Sequence, residues 1–472
     1  MDIFWTIIVY LNGIILAFLL FQSLLHLLQL IFAYIEVRYF RQSSPRTDPW
    51  WLLTSGVSMP ISILVPAYNE AETVVENIRS MLSLHYPEFE IIVVNDGSTD
   101  ETLKTMIDGL KLKPVDRAWH QEVAHADVRG LYGNPDYPRL LVVDKLNGGK
   151  ADALNAGINL SRFPLFCAVD ADSLLDHDSL LQVMRPFVEE PEEMIAVGGR
   201  LSIVNGCKVD SGQVVEIGLP KKLFPLLQSI EYIRAFLMAR LAWSRLNAML
   251  IISGAFGLFR RSAAIKVGGY SHDTVGEDME IVVKLHRHYR ENNIPYQMRY
   301  VPDSVCWTQA PESYSVLATQ RCRWQRGMLQ TLWKHRAMMF NPSYGRVGVL
   351  GMGYFFLMDV VAPIIELFGY ILVPISWYYD RVSTDFFIAY AAITIAYGVF
   401  LSTGALLLDM LVTRTVRARD LAVLTISAIM ENFGYRQWNN WWRLEGFYQF
   451  FGQRKDWGAM PRTKHSKGKR RN

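Results

Sequence analysis

Leu165-Phe166-Cys167-Ala168-Val169-Asp170-Ala171-Asp172 is the stretch on which the reading of this chain turns. Five apolar residues after a proline, ended by an acid, have the length and bounds of a buried strand. Two carboxylates one residue apart at a strand's end sit at the lip of a parallel sheet, where hard oxygen ligands meet a divalent cation. The Asp-x-Asp pattern is short, and Asp176-His177-Asp178 repeats it in a polar stretch with no strand before it. That second pair reads as a loop or helix start. The first gains its weight from the residues that converge on it.

Upstream, strands and helices alternate. Residues 61–65 form a β-rich run ended by Pro66, and a helix from about Glu70 carries Val74, Ile78, Met81 and Leu82 at helical spacing. Residues 91–94 are the next strand; Asn95-Asp96-Gly97-Ser98-Thr99-Asp100 turns into a helix capped by Ser98 or Thr99. A third strand covers 140–143, Gly148 and Gly149 turn the chain, and a helix covers 151–160. This alternation predicts a parallel sheet with right-handed crossovers. Its ligands belong beyond the carboxyl ends of the strands, where Tyr68 to Glu70, Asp96, Lys150, Asp170 and Asp172 all fall. Neither a dinucleotide glycine motif nor a P-loop is present.

The chemistry of these residues is compatible with a nucleotide-sugar. Asp96 suits the imide N–H of a uracil ring, with Tyr68 stacking on its face; an Asp-Gly turn that caps a helix is the alternative. Lys150 suits a phosphate or sugar, or is a solvated lysine at a helix start. Glu277 and Asp278 precede the helical run 279–289, where acids are favoured by the helix terminus, and where a carboxylate near an acceptor hydroxyl can act as general base. Gln320-Arg321-Cys322-Arg323-Trp324-Gln325-Arg326 gathers three arginines beside an indole, suited to pyrophosphate and to the face of a sugar, or to a basic membrane interface.

Half of the 472 residues are hydrophobic, 12% are aromatic and 20% are charged, which fits a soluble domain carried by a few membrane spans. Apolar blocks at 3–37, 347–377 and 386–412 are long enough to cross a bilayer. Arg38, Arg41, Arg46, Arg414, Arg417 and Arg419 flank the first and third blocks, so the positive-inside rule puts the middle region in the cytosol. The segment 421–451 mixes Trp438, Trp441 and Trp442 with Arg436 and Arg443 and reads as interfacial or re-entrant. Asp359 and Glu366, costly in lipid, should face protein or a polar path. Six Lys or Arg lie in the last eleven residues, a solvated end or one drawn to an anionic leaflet, and nothing marks a nucleic-acid binder. Cys167, Cys207, Cys306 and Cys322 are scattered and suit neither zinc nor a disulfide framework.

In order, Asp96 in NDGSTD, Asp170 and Asp172 in DAD, Glu277 and Asp278 in GED, and Gln320, Arg323 and Trp324 in QRCRW resemble the D, DxD, ED, QxxRW pattern of processive family-2 membrane glycosyltransferases, such as cellulose, hyaluronan and poly-N-acetylglucosamine synthases. The resemblance implies an α/β domain of GT-A (Rossmann-like nucleotide-sugar-binding) fold, a UDP-sugar donor, Mg2+ or Mn2+, and inverting transfer. It further implies that Asp96 binds uridine, Asp172 holds the metal with Asp170 beside it, and Asp278 is the base next to Glu277. Tyr68, Glu70 and Lys150 would join the donor site, Gln320, Arg323 and Trp324 the pyrophosphate and acceptor end, and Ser253 and Gly254 in SGAFGLFRR the acceptor loop. The expected domains are a membrane helix over 1–40, a linker over 41–57, the catalytic domain over 58–335 with an amphipathic insertion at 209–250, two membrane helices over 336–412, an interfacial or re-entrant segment over 413–460 and a basic tail over 461–472. The expected partners are the donor, a polysaccharide or lipid-linked acceptor, membrane lipids and an accessory subunit; a single-transfer glycolipid enzyme and a silent scaffold or channel are the rivals. Two departures stand out. Gly276 replaces the threonine often found before Glu-Asp, and only one span precedes the domain.

Overall fold

The computed structural model describes residues 2–43, 50–413 and 417–452; Arg46, Arg414 and the basic tail lie outside them. In chain order the strands are β1 (Ile61–Ala67), β2 (Phe89–Asp96), β3 (Lys113–Pro114), β4 (Val128–Gly133), β5 (Leu140–Lys145), β6 (Leu165–Val169), β7 (Leu174–Leu175), β8 (Met194–Ile203), β9 (Lys208–Asp210), β10 (Gln213–Glu216), β11 (Phe256–Arg260) and β12 (Gln297–Thr308). All but β9 and β10, which form a hairpin, join one sheet in the order β3-β4-β5-β2-β1-β6-β11-β8-β12-β7.

The centre of that sheet, β5-β2-β1-β6, is parallel, and its strands are apolar on both faces because helices cover both sides. The whole sheet, however, is mixed. β4 runs antiparallel to β5, and β11 runs antiparallel to both β6 and β8. The expectation of a parallel sheet thus holds for the four strands it was built on, and β8 and β12 also pair parallel, but β4 and β11 break it. β11 lies in the SGAFGLFRR stretch, whose glycines and short length hide a strand that only its two neighbours define.

Three helices are long and apolar enough to cross a membrane: Ile3–Gln42, Val347–Tyr378 and Thr384–Thr413, among the described residues. Between β10 and β11 the chain forms a helix, Leu223–Tyr232, a π-turn, Ile233–Met238, and a second helix, Ala239–Arg245, that packs along the first apolar helix. A π-turn between two helical segments rotates the faces of the second relative to the first. After the third apolar helix comes a helical hairpin. Ala418–Met430 runs along Thr384–Thr413, the chain turns at Gly434 (φ 101°), and Tyr435–Phe451 returns along helix Tyr314–Lys334 and the second apolar helix. The tip of this hairpin reaches the middle of the third apolar helix, where Gly398 packs directly on Asn432 and Arg436.

Candidate active site

β2 ends on Asp96, and the turn after it needs glycine: Gly97 has φ 63°, and a Cβ there would come within 2.7 Å of the Asn147 amide nitrogen. Asp96 is 3% exposed. Its carboxylate accepts from Lys145 Nζ at 2.6 Å, from the Gly148 amide at 3.0 Å and from the Gly149 amide at 2.7 Å. Lys145 also pairs with Asp152. Asp96 therefore ties the end of β2 to the loop before helix Lys150–Leu160 and caps no helix. That role falls to Asp100, whose Oδ1 accepts from the Thr102 amide at 3.0 Å at the start of helix Thr102–Leu110. Ser98 and Thr99 serve neither as cap: the Asn69 amide donates to Ser98 Oγ at 3.0 Å and the Thr99 amide to Asn69 Oδ1 at 2.9 Å. This brace joins the loops after β1 and β2 and leaves Tyr68 exposed, with Glu70 buried beside it.

Lys150 opens its helix and reaches across to the end of β6. Its Nζ lies 2.5 Å from Asp170 and 3.4 Å from Glu277. Burial disfavours its charge, but Asp170, Glu277 and Asp278 outweigh that and hold the ammonium well above the ordinary lysine range. Burial and the neighbouring Asp170 push Asp172 up, and burial with Asp278 pushes Glu277 up against the pull of Lys150. The cluster thus carries more negative charge than its own lysine can balance. Asp170 faces the cavity described below; Asp172 stands next to it but is not part of the cavity wall.

Glu277 and Asp278 begin helix Glu277–Glu291 after Gly276. The backbone explains that glycine. A Cβ on Gly276 would meet Gly327 Cα at 2.9 Å, and one on Gly327 would meet Gly276 Cα and N at 2.7 Å, so the two helices touch backbone to backbone. Asp278 Oδ2 accepts from the Gly254 amide at 3.3 Å, and a Cβ on Gly254 would lie 2.9 Å from Lys150 Nζ. The Ser253-Gly254 loop is therefore wedged between Lys150 and Asp278, with Ser253 Oγ accepting from the Ala255 amide at 3.3 Å.

Helix Tyr314–Lys334 brings Gln320, Arg323 and Trp324 to the same space. Gln320 turns a buried Oε1 with no protein partner among the described residues. Burial lowers Arg323, while Glu277, Asp170 and Asp278 favour its charge. Trp324 is held by two neighbours that its own motif does not announce. The Arg321 guanidinium lies 4.4 Å from its ring centre, and Phe236 meets it edge-on at 6.1 Å. Arg321 in turn pairs with Glu231 at 2.8 Å, which also accepts from Tyr435 at 2.7 Å. Lys145 and Glu231 were missed by sequence reasoning, and Arg321, read there as one of three arginines suited to pyrophosphate, pairs with Glu231 and braces Trp324. The signal for Lys145 and Glu231 was a charge in an apolar or amphipathic run, which has too many ordinary explanations.

Tyr68, Glu70, Asp96, Lys150, Asp170, the Ser253-Gly254 loop, Glu277, Asp278, Gln320, Arg323 and Trp324 border one cavity of about 1360 Å³. It continues from Lys150, Asp170 and Asp278 between the apolar helices, past His26, Asp359 and Glu366 to Arg436. Asp359 pairs with Arg443 at 3.1 Å; Glu366 accepts from Gln22 and from Asn440, each at 2.8 Å. The two acids thus face both protein partners and a polar space, with the returning helix of the hairpin supplying two of the three partners, Asn440 and Arg443.

Comparison with known proteins agrees with this geometry. The family profile described as glycosyltransferase like family 2 matches residues 59–327. A poly-beta-1,6-N-acetyl-D-glucosamine synthase of Staphylococcus epidermidis is 32% identical over 277 residues, 58% of this chain and 56% of the relative. One from Staphylococcus aureus (strain COL) is 30% identical over 57% of this chain and 54% of the relative, so the chain spans about half the length of the curated relatives it matches. In fold it is similar to the mannosyltransferase PcManGT from Pyrobaculum calidifontis, solved in complex with GDP-Man and Mn2+, with a TM-score of 0.51, 18% identity, and coverage of 93% of this chain and 99% of that one. The chain belongs to glycosyltransferase family 2, built on a GT-A-like mixed sheet.

Proposed function

We propose that this protein is an inverting, metal-dependent membrane transferase that adds a hexose or N-acetylhexosamine from a UDP-sugar to the end of a β-linked polysaccharide at the inner membrane face. The observation that carries this reading is the continuity of the cavity, from the Lys150–Asp170–Asp278 cluster to Gln22, His26, Asp359 and Glu366 on the first two apolar helices and Arg436, Asn440 and Arg443 on the returning helix. A growing chain that starts at the transfer point has a lined path into the membrane. The names of the staphylococcal relatives make N-acetylglucosamine the first sugar to test.

In this mechanism Asp96 and Tyr68 hold the base, with Glu70 behind them, and Lys150, Gln320 and Arg323 hold the diphosphate. Asp170 and Asp172 would hold Mg2+ or Mn2+. The residues fit such an ion: they are hard oxygen donors, they crowd negative charge that Lys150 leaves unbalanced, and as only two carboxylates they leave room for diphosphate and water oxygens. When bound, the ion neutralises charge on the departing UDP. Trp324 and the Ser253-Gly254 loop hold the acceptor end. Asp278 takes the proton of the acceptor hydroxyl as its oxygen attacks the anomeric carbon opposite the leaving group. One displacement breaks the bond to UDP and inverts the centre.

The test is UDP release by purified protein in nanodiscs, with Mn2+ or Mg2+, across a panel of UDP-sugars, for wild type and Asp278→Asn. Release that needs metal, selects one donor and falls by about 10²–10⁴ in the variant is expected. Unchanged release in Asp278→Asn would remove that residue as the base. Gel analysis of the product separates a polymer from a single-transfer glycolipid.

A further inference from the structure

Arg240 stands in the helix that follows the π-turn, and 9% of it is exposed. Its Nη1 donates to the Ile251 carbonyl at 2.8 Å, two residues before Ser253. No carboxylate lies within ion-pairing distance of it among the described residues. Its other donors are not sealed in protein but border the cavity. Burial pulls the guanidinium down to about 10, and the acids that favour its charge are Asp278, at the transfer point, and Asp359, in the second apolar helix. Arg240 therefore lines the same cavity as the proposed base Asp278 and Asp359 of the second apolar helix. A buried arginine with one neutral acceptor for its five donors is costly unless a ligand completes it. The guanidinium also lies 5.6 Å from the centre of Phe236, which abuts Trp324.

Resting on the transferase reading above, we propose that Arg240 is an acceptor-binding residue: it donates hydrogen bonds to hydroxyl or acetamido oxygens of the sugars just behind the chain end, while Phe236 and Trp324 supply the apolar wall. A guanidinium offers only donors, so it selects oxygen-rich ligands and holds them in register. Fixing the last sugars sets the acceptor hydroxyl against Asp278 and gives the chain its first hold after each addition.

The experiment uses the full chain in nanodiscs, with UDP-N-acetylglucosamine as donor and a β-1,6-linked N-acetylglucosamine tetrasaccharide as acceptor. Arg240→Gln should raise the acceptor KM about ten-fold or more, as expected for a lost charged hydrogen bond, with the donor KM moving less than about two-fold. Arg240→Lys should recover part of the loss. Parallel changes in both KM values with a lowered melting temperature, or an unmoved acceptor KM, would overturn the proposal in favour of a support for the Ile251 carbonyl. Binding of the tetrasaccharide by titration calorimetry needs no transfer and keeps the two readings apart. Weaker binding in Arg240→Gln supports the assignment even if no UDP is released, and equal binding, or none to wild type, sinks it.

Discussion

At the sheet end of the cavity, Lys150 and Arg323 stand among Asp170, Asp172, Glu277 and Asp278, whereas at the end between the apolar helices Asp359 pairs with Arg443 and Glu366 is held by two neutral amides. In the first region four acids crowd two cations, and burial together with neighbouring acids pushes Asp172 and Glu277 up; in the second the acids are held by protein side chains. The contrast assigns different tasks. An unbalanced cluster gains from a cation and a diphosphate, while on the proposed function a wall whose acids are already held by protein side chains would offer hydrogen bonds to a polar, uncharged chain.

The strongest way to break the contrast is to remove charge where it is unbalanced. Asp170→Asn frees Lys150 from its 2.5 Å partner and takes away one oxygen donor. Transfer should fall by about 10²–10³, the loss typical of removing one group that stabilises charge in the transition state. Chelation of divalent ions should do the same to wild type, and UDP release reads both. If neither treatment slows release, the cluster does not hold a metal.

Unbalancing the membrane half should act on length more than on rate. Arg443→Gln leaves Asp359 without its ion-pair partner, and electrophoresis of the product should show chains several-fold shorter, with a smaller fall in UDP release. The double variant Asp359→Asn with Arg443→Gln restores the balance and should restore length. Short chains in the double variant would mean that shape, not charge, governs passage.

The smallest effect is expected from a pair that supports both regions without bordering the cavity. Glu280 is buried, with His335 at 3.3 Å, Lys334 at 3.1 Å and Lys284 at 3.8 Å, and so joins the helix of Asp278 to that of Trp324. Burial pushes its carboxyl up, but the His335 hydrogen bond and the two lysines outweigh it and hold it down at about 2. A lowered folded value stabilises above the ordinary value of 4.5, and the gain is lost as pH falls through about 2. Glu280→Gln should cost about 3 kcal/mol near neutral pH, and its melting curve should converge with that of wild type as pH falls from 4.5 towards about 2. A constant offset at all pH values would mean that packing, not charge, is what Glu280 supplies.

How much was legible in advance depends on the range of the signal. Runs such as 165–169, ended by acids, announce their strands because apolar length and strand ends are local features, and the three long apolar helices are plain for the same reason. The order of the four acid and arginine motifs was enough to name the family. The antiparallel β11 was not legible, because its five residues take their direction from β6 and β8, far away in the chain. Nor was the brace on Asp96, whose Lys145 lies 49 residues on.

By itself the sequence determined where acids and arginines fall on strand ends and helices, and which stretches are apolar enough to span. Tertiary structure alone decided that Gly276 must be glycine, since the reason is a backbone contact with Gly327. It also decided that Gln22 and Glu366, 344 residues apart, meet in one polar wall. Periodicity and propensity act over a few residues, while a cavity is made by side chains that only folding brings together.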